Sequence, residues 1–209
     1  FWPQSRLTRP KHLLPIVGDV PMLTQTIERL GEVVPPQQVL IITKVEQREA
    51  VMEVCPMVPA ENVIEEPLGR DTAAAVGLAA VLVGNRDPEA SFAMLPADHV
   101  IKEAAGFQSV LDTAFTAAEE EAAIVTVGIQ AAYPATGYGY LEVGDEHRSI
   151  DRWVVHRLQR FVEKPDLDRA NRYLEGGAHL GNAGIFAWRT ADLLSEMARQ
   201  LPELAAGLA

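Results

Sequence analysis

A chain of 209 residues, 48% hydrophobic and 22% charged, has room for one large core and is cramped for a second full domain. Its formal net charge of −11, with no basic stripe to offset it, repels a polyanion, so nucleic acid is not an expected partner. The single cysteine, Cys55, cannot close an internal disulfide and lacks zinc-site spacing, which fits a reducing, cytoplasmic setting. The most apolar stretch, 73–83, is far short of the roughly 20 residues that span a bilayer, so no membrane role is expected.

Short apolar runs alternate with helical spacing along the chain, the pattern of a sheet flanked by helices. The expected class is α/β, with a Rossmann-like, mixed, mainly parallel sheet in a single domain over residues 1–209. Met22, Leu23, Ile27 and Leu30 recur at helical spacing after Pro21, and the branched run 39–42 reads as a buried strand. A helix over 45–54, a short strand over 62–65 and an Ala-rich helix over 71–85 capped by Asp71 come next. Then come a strand over 91–95, an amphipathic helix over 107–120 and a strand over 122–129. Beyond Ile129 the pattern turns to mixed α+β: a Gly and aromatic stretch at 136–140, a strand over 154–162, a helix over 166–175, extended chain over 178–188 and a helix over 191–201.

Ligands of open α/β sheets bind beyond the carboxyl ends of strands, so polar residues just after apolar runs are the first candidates. These are Glu65 and Glu66 with the Gly69-Arg70 turn, Asp98 after Met94-Leu95, Glu163 and Lys164 after Phe161-Val162, and Asn182 in a Gly-flanked turn. An acid, a metal-capable aspartate, a lysine and an amide suit a phosphorylated, hydroxyl-rich ligand. No GxSxG elbow or HExxH helix is present, so covalent hydrolase chemistry is not indicated.

Six strings then carry a resemblance: RPKHLLPI from Arg9, EEPLGRDTAAA from Glu65, LPADHVI from Leu95, TGYGYLEV from Thr136, RFVEKPD from Arg160 and GNAGIFAW from Gly181. Their order and spacing resemble the mannose-1-phosphate guanylyltransferases of the sugar-phosphate nucleotidylyltransferase family, nearly end to end. The resemblance implies transfer of GMP from GTP to mannose-1-phosphate, by in-line attack of the sugar-phosphate oxygen on the α-phosphorus with pyrophosphate leaving. Such a reaction needs positioning and cations rather than a covalent intermediate.

By that resemblance Asp98 holds Mg2+ and, with Lys11, forms the catalytic pair; Arg9, Lys11, Glu66 and Arg70 bind the nucleotide, Glu66 accepting from guanine. Gly139, Glu163, Lys164 and Asn182 take the sugar phosphate. Each has a plainer reading: a turn aspartate at 98, a solvated cluster of Arg6, Arg9 and Lys11, a surface glutamate before Pro67, and an exposed charge pair ending an edge strand. Glu163 and Lys164 point to opposite faces of an extended strand and act together only if the chain turns, for which Pro165 is suited.

Compared with the family pattern, the chain starts after the first strand and its Gly-rich phosphate loop and stops before a second magnesium-binding aspartate, so it is expected to be incomplete at both ends and weak or inactive alone. Asp71 stands for Asn, Ala74 for Pro and Gly181 for Trp, the last loosening the sugar pocket. Two alternatives stay open. One is another sugar-1-phosphate nucleotidylyltransferase, using heptose or another sugar with dTTP or UTP; the other is a non-catalytic nucleotide-sugar-binding regulatory subunit. A homodimer is compatible with the sequence.

Overall fold

Pro21, with φ of −54°, leads into helix α1 (Met22–Glu28), whose inner face buries Met22, Leu23 and Ile27. The computed structural model describes residues 4–6, 9–66 and 71–208. These fall into two compact units, the first comprising 1–90, 96–112 and 190–209 and the second 91–95 and 113–189.

In the first unit β1 (Ile41–Lys44) and β2 (Val63–Glu66) pair in parallel, Ile41 opposite Val63 and Lys44 opposite Glu66. A 3-10 turn at Val45–Gln47 and helix α2 (Arg48–Val54) make the crossover between them. Leu13, Leu23, Ile27, Ile41, Val51, Cys55, Val58 and Val63 form the core this βαβ arrangement encloses. The strand expected over 39–42 lies two residues later. Pro35 and Pro36 open a 3-10 turn over 36–38, and the Val39 amide donates back to Pro36, so that amide is committed before any ladder begins.

Helix α3 (Asp71–Arg86) is the expected Ala-rich helix; the capping reading of Asp71 lies outside the described residues. Helices α6 (Thr190–Gln200) and α7 (Pro202–Leu208) pack against α3. A Cβ at Gly77 would run into Leu208 Cδ1 and Met197 Cε, so glycine there sets how closely the helices approach. Helix α7 was not anticipated. Proline is tolerated in a first helical turn, so Pro202 ends one pattern and starts another.

The second unit contains β3 (Ser91–Met94), β4 (Val125–Ile129), β5 (Tyr140–Ile150), β6 (Trp153–Val162) and β7 (His179–Arg189) in one sheet, all paired antiparallel. Phe186 and Ala187 of β7 pair with both β3 and β4, and Gly181 with both β4 and β5. A strand has two edges, so β4 lines one edge of β7 while β3 and β5 share the other. β3 and β4 therefore run in the same direction, with β7 inserted between them. The α/β class expected from the alternation is present, with parallel pairing in the two-stranded sheet of β1 and β2 and antiparallel pairing in the separate five-stranded sheet among the described residues. Helix α4 (Ala104–Glu121) contributes residues to both units. Helix α5 (Leu167–Gly176) is capped by Asp166, whose carboxylate accepts from the Arg169 amide at 2.8 Å, and stops at Gly177, with φ of +66°. No described helix is long and apolar enough to cross a membrane.

Candidate functional site

The described candidate residues divide between the two units. In the first, a 3-10 turn spans Lys11–Leu13, with Leu13 only 1% exposed and anchored in the core. That anchor leaves Lys11 half exposed, and its ammonium meets Asp98 Oδ2 in an ion pair. The structure thus brings together the two residues expected to share the catalytic work.

Behind this pair lies a cation that sequence reasoning missed. Arg29 is 7% exposed, donates to the His99 carbonyl at 3.0 Å, and lies 5.7 Å over the Phe107 ring. Gln108 donates to the Arg29 carbonyl at 2.8 Å, so both ends of the residue are tied. No carboxylate pairs with Arg29 among the described residues, and burial lowers its proton affinity. Arg29 therefore fixes the backbone immediately after Asp98 and adds positive potential there. Burial also pushes both His12 and His99 below the usual histidine range, against the pull of Asp98, and Lys11 adds to the lowering at both.

Arg9 is exposed, and its backbone exchanges bonds of 2.9 and 3.1 Å with that of Arg6, two residues before Lys11. Glu66 ends β2 in register with Lys44, while its neighbour Glu65 pairs with Arg48 at 3.3 Å. Arg70 lies outside the described residues.

In the second unit Gly139, Glu163 and Asn182 converge, because Tyr140 pairs with Val162 on β6 and with Gly181 on β7. The Asn182 backbone amide donates to the Gly139 carbonyl at 2.8 Å. A Cβ on Gly139 would stand 2.8 Å from Phe161 Cζ and 2.9 Å from Glu163 Oε2, so the bare backbone makes the space that carboxylate occupies. The turn anticipated at Pro165 is present one residue earlier. Lys164 takes φ of +43°, a left-handed conformation rare for a side-chain-bearing residue and disfavoured before proline. It places the ammonium 3.4 Å from Glu163 Oε1, on the same side as the carboxylate.

Asn182 stands at a bulge. Its Oδ1 accepts from the Gly184 amide at 3.0 Å and lies 3.1 Å from the Thr126 hydroxyl. The oxygen is spent inside the protein, and the amide nitrogen is the atom left to meet a ligand. Thr126 is the second residue that sequence reasoning missed. Gly181, where the family resemblance has Trp, has room for a side chain: a Cβ there would meet Ile129 Cγ1 at 3.4 Å, an ordinary contact.

Residues 1–208 match the family model described as nucleotidyl transferase. The chain belongs to the nucleotidyl transferase family. It is 35% identical, over 98% of its length, to the xanthan biosynthesis protein XanB of Xanthomonas campestris pv. campestris (strain B100). It is 36% identical, again over 98%, to a mannose-1-phosphate guanylyltransferase of Escherichia coli (strain K12). The chain spans 43% of the length of each. A crystal structure from Thermus thermophilus, described as a mannose-1-phosphate geranyltransferase, matches with a TM-score of 0.88 and 33% identity over 100% of this chain and 59% of that one.

For a metal, this nucleotidyl transferase chain offers a spare donor rather than a cage. No group of three or more His, Cys, Asp or Glu is gathered among the described residues. Asp98 supplies hard carboxylate oxygens, one of them facing Lys11. Mg2+ is held by one or two carboxylates with the rest of its shell from water and substrate phosphate, so this donor set fits an ion that arrives with a nucleotide.

Proposed function

We propose that the chain carries the substrate-binding parts of a mannose-1-phosphate guanylyltransferase, with both units belonging to one catalytic domain over 1–209 that works in the cytoplasm. The observation that carries the reading is the grouping of Gly139, Glu163, Lys164 and Asn182 around one strand junction: the Glu163 carboxylate lies against Gly139, the Lys164 ammonium beside it, and the Asn182 backbone is bonded to the Gly139 carbonyl. A sugar phosphate asks for that set. The guanylyl and mannose assignments draw support from the curated relative of that description.

In this reading Glu163 accepts from sugar hydroxyls, Asn182 donates to one, and Lys164 pairs with the sugar's phosphate. On the nucleotide side Lys11 and Arg9 face the phosphates and Glu66 accepts from the guanine edge, with Arg70 assigned to the same side. An oxygen of the sugar-1-phosphate attacks the α-phosphorus; the new P–O bond forms as the bond to the β-phosphate breaks, and pyrophosphate leaves with the electron pair. Asp98 would hold magnesium, which would supply positive charge to offset the negative charge gathering on the phosphate oxygens. The protein's own part is positioning: Arg29 steadies the loop that bears Asp98, and the left-handed Lys164 keeps cation and carboxylate on one side.

The test is pyrophosphate release by the protein carrying this chain, with magnesium, across a panel of nucleoside triphosphates and sugar-1-phosphates. Release with GTP that depends on mannose-1-phosphate is expected. Preferential use of dTTP, UTP or a heptose phosphate overturns the assignment, and nucleotide-sugar binding without any turnover points to a regulatory subunit instead.

A further inference from the structure

The register between β4 and β7 breaks in one place. Thr126 pairs with Phe186 and Gly128 with Asn182, so residues 183–185 of β7 stand opposite Val127 alone. An excess of this kind must bend the longer strand and leave backbone groups without ladder partners. Two side chains and a glycine close the gap. Gly184 takes φ of +67°, which turns its amide toward Asn182 Oδ1 at 3.0 Å. The Thr126 hydroxyl reaches the same oxygen at 3.1 Å and the Ile185 carbonyl at 3.2 Å.

The chemistry of these contacts fixes which way the amide faces. The Gly184 backbone N–H can only donate, so the atom of Asn182 in front of it must be the oxygen. A flipped amide would set two donors against each other. The Thr126 hydroxyl has one proton and two oxygens in reach, Asn182 Oδ1 and the Ile185 carbonyl; given to Asn182 Oδ1 from the facing strand β4, it adds a second donor to the oxygen that the Gly184 amide already selects. Asn182 Nδ2 is then turned away from the bulge.

We propose that Thr126 is a positioning residue that, together with the Gly184 amide, holds Asn182 as a one-way hydrogen-bond donor, so that the sugar oxygen it meets is read as an acceptor. This rests on the sugar-phosphate reading of Asn182 given above, but the orientation it asserts is a property of the protein without ligand. Thr126 touches the asparagine rather than the substrate.

Thr126→Val keeps the branched shape that a strand favours and removes the hydroxyl; Thr126→Ser keeps the hydroxyl. Two readouts separate the claims. First, in 15N–1H spectra of the unliganded chain, the Asn182 side-chain NH2 pair is expected to move in Thr126→Val and to return in Thr126→Ser. An unmoved pair in a dispersed, folded spectrum overturns the proposal. Second, titration with mannose-1-phosphate is expected to show about 3- to 10-fold weaker binding for Thr126→Val, the worth of one modest hydrogen bond, with the GTP titration unchanged and Thr126→Ser close to wild type. Equal loss for both ligands, or no recovery with serine, marks a general structural role and overturns it. If Thr126→Val does not fold, Thr126→Ser against Thr126→Ala carries the same comparison. If the NH2 pair moves as expected but mannose-1-phosphate never binds to wild type, the sugar reading of the site fails, and the specificity claim falls with it.

Discussion

Gly139→Ala separates the site from the fold. The backbone at Gly139 is open to any residue, since its φ is not in the left-handed region, so the cost is purely one of space. The new methyl would lie 2.8 Å from Phe161 Cζ and 2.9 Å from Glu163 Oε2, both below real Cβ contacts, and something must move. Phe161 is 42% exposed and the Glu163 side chain 56%, so each can swing toward solvent. Overpacking a rigid core costs about 1–3 kcal/mol, and yielding neighbours put this change near the low end, about 1 kcal/mol. For a domain of this size that lowers Tm by roughly 2–4 °C. The carboxylate, however, leaves its place, and hydrogen bonds to a charged acceptor are worth about 1.5–3 kcal/mol, roughly 10- to 150-fold in affinity. Thermal melts beside calorimetric titration with mannose-1-phosphate measure the two effects on one sample. Near-native stability with at least tenfold weaker sugar-phosphate binding is the expected result. Unchanged binding would refute the reasoning, as would a loss of binding no larger than the loss of stability explains.

Lys164→Gly relieves a left-handed backbone that costs a side-chain-bearing residue about 1–2 kcal/mol, so Tm is expected to rise by a few degrees while sugar-phosphate affinity falls; Lys164→Met should lose the affinity without the gain. Equal Tm for the two variants would show that no strain resides there. Arg29→Met exchanges a buried cation for an apolar chain and strands the His99 carbonyl, an expected loss of about 1–3 kcal/mol, with weaker GTP binding and faster amide exchange over residues 97–101. Intact GTP binding in a folded Arg29→Met protein would remove Arg29 from the account. Cys55 is fully buried, and burial raises its thiol from 9.0 to about 11. The unfolded thiol ionises first, so the stability held below pH 9 is lost as pH rises through that window. Denaturant midpoints of wild type and Cys55→Ala should converge between pH 9 and 11, and parallel curves would contradict the burial argument.

What the sequence made legible follows from how local each signal is. Apolar spacing after Pro21 and the alanine run from Asp71 place α1 and α3, because helical periodicity is written within a few turns. Pro165 marked where the strand ends, but the left-handed backbone at Lys164 was not readable, since proline favours an extended residue before it. The position of β7 was not readable. Pairing between residue 91 and residue 189 is a long-range choice that no window of sequence contains. Polar β5 was missed past Tyr140 because its half-exposed strand lacks an apolar run. Arg29 and Thr126 escaped for the same reason. An arginine two residues after Ile27 reads as the solvated face of a helix, and a threonine in VTVGI as an ordinary strand residue, until the loop at His99 and the bulge at Asn182 give them partners.

The central claim is a division of labour, with nucleotide groups in the first unit and sugar-phosphate groups in the second. The direct measurement is a matched calorimetric titration of GTP with magnesium, and of mannose-1-phosphate, into wild type, Asp98→Asn and Glu163→Gln. Asp98→Asn is expected to weaken GTP alone, and Glu163→Gln to weaken mannose-1-phosphate alone. Loss of GTP binding in Glu163→Gln, or undiminished binding of both ligands in both variants, would contradict the account.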